Sequence, residues 1–93
     1  MKLSCSIDDS GKWLGFRNFE RADERGIFDT AASKLQHADG VVLGSLREAP
    51  YMDYRDGTLS GVAFRLRLDD DEGATITSDS PAVLQTLKQM LET

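Results

Sequence analysis

The most constraining feature of this sequence is a strict alternation of apolar and polar side chains over residues 62–69. Large apolar residues occupy every second position from Val62 to Leu68, and Arg65 and Arg67 stand between them. Because successive side chains of a strand point to opposite faces, this pattern predicts a strand with one buried face and one polar face. Asp70, Asp71, Glu72 and Gly73 predict a turn, and residues 74–78 predict the antiparallel strand that follows.

Three further segments have the composition of strands. Residues 2–8 alternate in the same way, with Leu3, Cys5 and Ile7 on the apolar side, and turn-forming residues lead into a second apolar segment over residues 13–19. These two segments predict a hairpin. The short run over residues 41–46 is rich in β-branched residues and predicts a third strand.

Two segments show the three- and four-residue spacing of an amphipathic helix. The first runs from about residue 23 to residue 38, with Gly26 as an early kink or start and Gly40 supplying the C-terminal stop. The second is predicted to begin with Ser80 as its cap. Pro81 suits the first helical position, since its missing N–H costs nothing there.

The predicted order of elements is strand, strand, helix, strand, strand, strand, helix (ββαβββα). Because each helix carries a single apolar stripe, both can cover the same face of one sheet. The sequence therefore predicts an α+β fold, a two-layer sandwich in which a mainly antiparallel sheet of about five strands has two helices on one face. The length of 93 residues suits a single domain over residues 1–93.

Reactive side chains are scarce in this sequence. His37 is the only histidine, and it falls in the last turn of the first predicted helix, where a histidine interacts favourably with the helix dipole. Cys5 is the only cysteine, so the chain has no internal disulfide, and its inward position predicts a small buried apolar residue. The phosphate-binding glycine motifs are absent. We therefore expect no catalytic residues, no cofactor and no metal site.

The charge balance of the chain bears on its partners. Sixteen acidic residues oppose eleven basic ones, which gives a net charge of −5. Because nucleic-acid binding depends on positive charge, this balance disfavours direct nucleic-acid binding by the molecule as a whole. No apolar run approaches the ~20 residues that a membrane span needs, and the first residues lack the apolar segment of a secretory signal. We expect a cytoplasmic protein without membrane contact.

The segment YMDYRDG, residues 51–57, is unusually aromatic for its predicted place in a connection over residues 48–58. Asp56 and Gly57 would close a β-turn there. Aromatic residues, Met and Arg are the types enriched at the centres of protein interfaces. The segment is therefore either a contact surface for a partner or a lid over the edge of the protein's own core. Its candidate contact residues are Tyr51, Met52, Asp53, Tyr54, Arg55 and Asp56.

Four adjacent acids, Asp69, Asp70, Asp71 and Glu72, mark the predicted turn between the last two strands. An EF-hand spaces its ligands over about twelve residues. Side chains of adjacent residues alternate in direction and cannot all reach one ion. The run is thus a solvated turn, an acidic contact surface for a partner or, as a lesser alternative, a weak cation-binding segment.

Arg65 and Arg67 are predicted to project from the sheet face opposite the core, beside Thr75 and Thr77. This face is either solvated or a nucleic-acid-binding surface. Sheets that bind RNA stack bases on aromatic side chains, and the alternating pattern supplies none on this pair of strands.

The scarcity of reactive groups, the aromatic segment and the acidic run favour a non-catalytic protein that binds a protein partner. A sharper hypothesis is an inhibitor whose carboxylates imitate phosphate spacing and occupy a nucleic-acid-binding surface of its target. In size and charge the chain is similar to small anti-defence proteins of phages and mobile elements, including inhibitors of CRISPR complexes. The alternatives are a nucleic-acid-binding module that uses Arg65 and Arg67, and an accessory or small-molecule-binding subunit of a larger complex. A homodimer formed through an open edge strand is compatible with all of them.

Overall fold

The computed structural model of the chain describes residues 2–18 and 23–93, which contain seven strands and two helices. In chain order these elements are β1 (Cys5–Ile7), β2 (Trp13–Phe16), α1 (Glu24–Gln36), β3 (Val41–Leu43), β4 (Arg47–Ala49), β5 (Met52–Leu59), β6 (Val62–Asp69), β7 (Gly73–Thr77) and α2 (Pro81–Glu92). The described strand pairs are antiparallel, and the sheet order is β1-β2-β7-β6-β5-β3. Strand β4 pairs with the first half of β5, on the edge where β3 pairs with the second half.

Strands β5 and β6 form a hairpin, and their pairing is the longest in the sheet. The hairpin's two connecting residues, Ser60 and Gly61, have φ of 49° and 83°. Two-residue hairpin turns of this kind need a positive φ at both positions, because that twist matches the twist of the flanking strands. The alternation predicted for residues 62–69 is confirmed from Phe64 onward, since Phe64, Leu66 and Leu68 face the core and the arginines face the other way. Val62, at the start of β6, is 45% exposed.

The prediction for residues 48–58 is wrong, because this segment forms most of β4 and β5 and is not a connection. The turn lies at Pro50 and Tyr51, between the paired residues Ala49 and Met52. Since polar side chains occupy both faces of β5, the segment lacks the apolar alternation by which a strand is recognised.

Asp56 and Gly57 do not form the predicted β-turn. Gly57 is buried within β5 and pairs with Phe64 on β6 and with Leu43 on β3. A Cβ at this position would lie 2.7 Å from Phe64 Cζ and 2.9 Å from the carbonyl oxygen of Val42. The glycine is therefore explained by the close approach of neighbouring strands.

The first helix begins and ends slightly inside its predicted limits. The side chain of Asp23 accepts a hydrogen bond from the N–H of Arg25, and this cap starts α1 at Glu24. Gly26 consequently lies within the first turn and does not mark the start of the helix. His37 is the C-terminal cap residue, one position beyond the last turn.

Three predicted strands are shorter than expected. Strand β1 covers only Cys5–Ile7 of the predicted residues 2–8. Strand β2 ends at Phe16, and the part of the prediction that reaches Phe19 lies outside the described residues. Strand β3 ends at Leu43, three residues before its predicted end. The N–H of Gly44 donates to the carbonyl of Asp56 at 2.8 Å, and the chain then turns away before β4 begins.

The second helix begins as predicted, with Ser80 Oγ accepting the N–H of Val83 at 3.3 Å and Pro81 in the first turn. Helix α2 packs against β1 and β2, whereas α1 packs against β3, β6 and β7, and the helices also contact each other. Their apolar stripes and the apolar side of the sheet form one buried cluster. Its largest fully buried members are Phe28, Leu14, Leu35, Leu66, Ile76, Leu84, Leu87 and Leu91.

The described elements form an α+β fold of two helices and a seven-stranded antiparallel open sheet. The predicted fold class is confirmed at this level. The predictions of about five strands and of the order ββαβββα are wrong, because β4 and β5 take the place of one predicted connection, and the two-layer sandwich matches only in part. Neither of the described helices is long and apolar enough to cross a membrane.

Candidate functional surface

The sheet face opposite the buried cluster is open, since both described helices pack on the cluster side. We call it the outer face. Strand register brings side chains from four neighbouring strands together on it, and Arg67 lies opposite Tyr54 on one side and Thr75 on the other. The central side chains of the outer face are those of Trp13 on β2, Thr75 and Thr77 on β7, Arg65 and Arg67 on β6, and Tyr54 and Asp56 on β5.

Arg65 is held between an aromatic ring and a carboxylate. Its Nε and Nη2 donate to the two carboxylate oxygens of Asp56 at 2.6 and 3.2 Å. Its guanidinium lies 4.2 Å from the centroid of the Tyr54 ring. The hydrogen bonds from Arg65 lower the pKa of the Asp56 carboxyl below its usual value. Because a bidentate pair and a stacked ring restrain the same guanidinium, this part of the outer face presents an ordered surface to solvent.

Arg67 connects the two sides of the outer face. Its guanidinium lies 5.1 Å from the centroid of the Trp13 ring, and its Nε donates to Met52 Sδ at 3.1 Å. Its Nη2 is 3.5 Å from a carboxylate oxygen of Asp69, and 19% of the side chain is exposed. Since β2 is two strands away from β6, the indole of Trp13 reaches across β7 to make this contact.

The pair of strands β6 and β7 supplies no aromatic side chain to the outer face, as the sequence predicts, but the neighbouring strands do. Tyr54 comes from β5 and Trp13 from β2. Sequence reasoning misses Tyr54 because it assigns that residue to a connection. It misses Trp13 because the contact with Arg67 reaches across the intervening strand β7. The signal that would have placed Trp13 on this face is its alternation with the buried Leu14.

Four of the candidate contact residues in the segment 51–56 lie on or beside the outer face. Met52, Tyr54 and Asp56 share that face with the arginines of β6. Tyr51 lies in the turn that precedes β5, and with 78% of the residue exposed it does not cover the core.

The other two candidate contact residues of this segment, Asp53 and Arg55, lie on the opposite side of β5. Asp53 pairs with Arg25 of α1 at 2.9 Å. Arg55 Nε donates to the carbonyl of Gly44 at 2.7 Å. Asp53 thus ties β5 to α1, Arg55 ties β5 to the segment that follows β3, and neither side chain belongs to the outer face.

The acidic run lies directly beside Tyr51, because the N–H of Asp70 donates to the carbonyl of Tyr51 at 3.3 Å. The carboxylate of Asp69 accepts the N–H groups of Asp71 and Glu72 at 2.8 and 3.2 Å. These hydrogen bonds lower the pKa of the Asp69 carboxyl. The Asp69 carboxylate therefore accepts hydrogen bonds within the turn, whereas the other three acidic residues of the run are exposed. We call Asp70, Asp71 and Glu72 the acidic tip.

Glu24, at the start of α1, holds the base of the acidic tip. Its Oε1 accepts the N–H of Ala74 at 3.1 Å, and its Oε2 accepts a hydrogen bond from Asn18 Nδ2 at 2.8 Å. Asp23 and Glu24 also line a cleft of about 400 Å³ together with residues 68–73. The acidic tip consequently continues into the acidic start of α1.

The only histidine and the only cysteine occupy structural positions. His37 is exposed at the end of α1, and Cys5 is buried in β1. Burial raises the pKa of the Cys5 thiol to about 11, and the nearby carboxylate of Glu92 adds to the shift. Within residues 2–18 and 23–93, no three His, Cys, Asp or Glu side chains come together in an arrangement that could hold a metal ion.

Glu92 at the end of α2 holds the edge strand β1. Its Oε2 accepts the N–H of Cys5 at 2.9 Å, and its Oε1 pairs with Lys88 at 2.7 Å. The bond from Cys5, followed by that from Lys88, lowers the pKa of the Glu92 carboxyl. A lowered folded-state pKa gives stabilisation that is present above the unfolded-state pKa, about 4.3, and is lost as the pH falls through the folded-state pKa.

We expect Glu92→Gln to lower the free energy of unfolding relative to wild type at about pH 7, and the difference to shrink toward about pH 3. Urea unfolding of both proteins at the two pH values measures it. Glu48→Gln, on the exposed strand β4, is the control that removes one acid without touching β1. A difference between wild type and Glu92→Gln that stays constant with pH would contradict the role assigned to this carboxylate.

No protein-family model, curated protein or solved structure matches this chain. The proposals that follow therefore rest on the chain's own residues and their contacts.

Proposed function

We propose that this protein is non-catalytic and acts by binding a protein partner, through a contact surface that joins the acidic tip to the outer face. The observation that carries the proposal is the backbone hydrogen bond from Asp70 to Tyr51, which places the 78% exposed Tyr51 directly beside the first residue of the acidic tip. The aromatic segment and the acidic run are separate in the sequence, and this bond brings their backbones together.

The composition of this surface suits a protein interface. Tyr51, Met52 and Tyr54 supply aromatic and thioether groups, and Arg65 supplies a stacked guanidinium, all of them types enriched in interface centres. Arg65 is already restrained by Asp56 and by the Tyr54 ring. Binding therefore loses less side-chain entropy than it would with a free arginine, which favours affinity.

The acidic tip indicates the charge of the partner. Three exposed carboxylates at one end of a molecule with a net charge of −5 complement a basic surface and speed its approach. In the sharper form of the proposal, these carboxylates take the place of nucleic-acid phosphates on a nucleic-acid-binding surface of the partner. The protein would then act as an anti-defence inhibitor, a class that includes inhibitors of CRISPR complexes. A cytoplasmic setting and a role as accessory subunit of a larger complex both fit this proposal.

The sheet edges support the choice of a face over an edge as the contact surface. On β1, the N–H of Cys5 is already bonded to Glu92, so a pairing strand would have to displace that carboxylate. On the opposite edge, β3 and β4 are interrupted by residues 44–46, and Pro50 follows β4. Short, interrupted and charged edges oppose strand addition, which disfavours an edge-to-edge homodimer.

The second candidate function is nucleic-acid binding on the outer face. The observation that favours it is the placement of Trp13 and Tyr54 on either side of the two arginines, since aromatic side chains on an open sheet can stack bases. Against it, Arg65 and Arg67 each have a carboxylate partner, so little positive charge is left for phosphate. A gel shift with single-stranded and duplex oligonucleotides at low salt decides between the two, and an unshifted band removes this candidate.

The test of the proposed function is quantitative capture of partners by tagged wild-type protein and by the variant Asp70→Asn, Asp71→Asn, Glu72→Gln. We expect the partner captured by wild type to bind this variant about tenfold more weakly, because three exposed ion pairs of about 0.5 kcal/mol each are removed. The affinity of wild type should also fall as salt is raised.

The matched control neutralises three exposed acids elsewhere, Asp9→Asn, Asp29→Asn, Asp39→Asn, and so changes the net charge by the same amount. It should retain most of the affinity. Equal losses in the two triple variants would show that net charge alone is sensed, and unchanged affinity in the first variant would remove the acidic tip from the interface.

A further inference from the structure

The thioether sulfur of Met52 accepts a hydrogen bond from a charged group. Arg67 Nε donates to Met52 Sδ at 3.1 Å, and this bond joins β5 to β6 across the outer face. Met52 is partly exposed and lies outside the buried cluster. Because both described helices pack on the other side of the sheet, small solutes in water reach the face that carries Met52.

The other contacts of Arg67 hold its guanidinium weakly. Its Nη2 is 3.5 Å from Asp69 Oδ2, which is longer than the distance of about 2.7–2.9 Å in a charge-assisted hydrogen bond. The guanidinium lies 5.1 Å from the centroid of the Trp13 ring. A thioether sulfur is itself only a weak acceptor. A stronger acceptor at the end of the Met52 side chain would therefore become the main partner of Arg67.

We propose that Met52 is a site of reversible oxidation by a peroxide, and that Arg67 binds the resulting sulfoxide. The sulfur attacks an oxygen of hydrogen peroxide, so that an S–O bond forms while the O–O bond breaks and the sulfur gives up two electrons. The other oxygen leaves as water, after taking the proton of the oxygen that is transferred. The sulfoxide oxygen carries partial negative charge, so the Nε–H already directed at Met52 can donate to it.

The oxidation can be reversed by methionine sulfoxide reductases. In that reaction two thiols are oxidised to a disulfide, and the oxygen of the sulfoxide leaves as water. The modification is thus a change between two states of the same side chain, one apolar and one polar.

Oxidation would change the contact surface where its two parts meet. Met52 follows the exposed Tyr51, and it pairs in the strand register with Asp69, whose carboxylate holds the turn of the acidic tip. A sulfoxide places a polar group where the contact surface has an apolar one, and it draws Arg67 away from Asp69. This inference rests on the proposed function and adds its regulation, because the oxidised protein should bind the partner more weakly.

The purified chain tests the site without the partner. Folded protein is treated with hydrogen peroxide, and mass spectrometry of its peptides follows the gain of oxygen at Met52 and at Met90. Met90 is the matched comparison, since it is also partly buried but packs against the buried cluster. We expect Met52 to be oxidised about fivefold faster, because oxidation follows access to solvent. Cys5 is slow to compete for peroxide, because it is buried.

The NMR signal of the Arg67 Nε–H reports on the acceptor of that group. It should move when Met52 is oxidised and return when a methionine sulfoxide reductase and dithiothreitol are added. The Nε–H of Arg65 is the internal control, because it donates to Asp56 at 2.6 Å and not to a sulfur. In Met52→Leu, neither signal should respond to peroxide.

Partner capture tests the consequence for binding. Peroxide treatment of tagged wild type should weaken capture about tenfold, and reduction should restore it, because a thioether at the interface becomes polar and then apolar again. Met52→Leu should capture the partner equally before and after peroxide, whatever its level without peroxide.

Failure of this inference can be told apart from failure of the proposed function. Equal oxidation rates at Met52 and Met90, or equal movement of the Arg65 and Arg67 signals, overturns the site, and both are measured on the purified chain. Capture that oxidation leaves unchanged overturns the regulation, even if neutralising the acidic tip weakens capture and so supports the proposed function.

Discussion

Replacing Gly57 with alanine is expected to lower the free energy of unfolding by about 3 kcal/mol, the upper part of the range for overpacking a core. The new Cβ would lie 2.7 Å from Phe64 Cζ and 2.9 Å from the carbonyl oxygen of Val42. Phe64 is 3% exposed and cannot swing into solvent, and the carbonyl belongs to the paired strand β3. Either β3 or the Phe64 ring must therefore move.

Urea unfolding of wild type and Gly57→Ala measures this change. Gly15→Ala is the matched control, because Gly15 is also a strand glycine but has open space where its Cβ would stand. Its free energy of unfolding should stay level or rise by up to about 1 kcal/mol, as alanine restricts the unfolded chain more than glycine does. If the two variants lose the same stability, the packing explanation of Gly57 is wrong.

Replacing Gly73 with alanine is expected to cost about 2–3 kcal/mol, from two separate effects. Gly73 has φ of 73°, a conformation that an L side chain adopts only with strain. A Cβ there would also collide with the carboxylate of Glu24. Moving that carboxylate takes it away from the N–H of Ala74, which then loses its partner.

Gly61→Ala separates these two effects. Gly61 has a similar φ of 83°, but a Cβ there would meet no atom within 4 Å. It should therefore show the conformational cost alone, about 1 kcal/mol. The additional loss in Gly73→Ala is assigned to Glu24, and it should be accompanied by weaker partner binding because Glu24 holds the base of the acidic tip. Equal losses at the two glycines would exclude a role for Glu24.

The elements that the sequence predicts well are those whose signal is local. Apolar and polar side chains alternate residue by residue in β6. A capping serine followed directly by a proline marks the start of α2. These patterns depend on side chains within one or two turns of the chain, so they can be read without knowing what packs against them.

Strand β5 has no such local signal. Its polar residues alternate with other polar residues. Tyr54 and Asp56 lie on the open face, whereas Asp53 pairs with a residue of α1 and Arg55 contacts the segment after β3. Nothing in the segment itself distinguishes a strand with these contacts from a connection. In the sequence, the glycine at position 57 even favours a turn. In the structure, a glycine is required there because an aromatic ring of the next strand lies too close for a Cβ.

The sequence by itself determined the α+β class, both helices, the polar character of the face that carries Arg65 and Arg67, and the scarcity of reactive groups. Tertiary structure alone decided that Trp13 and Tyr54 border those arginines, and that Asp70 lies beside Tyr51. The physical reason is the distance along the chain between the residues that determine each feature. Helix caps and strand alternation are set by neighbours along the chain, whereas a surface assembled from four strands depends on register, which the sequence does not display.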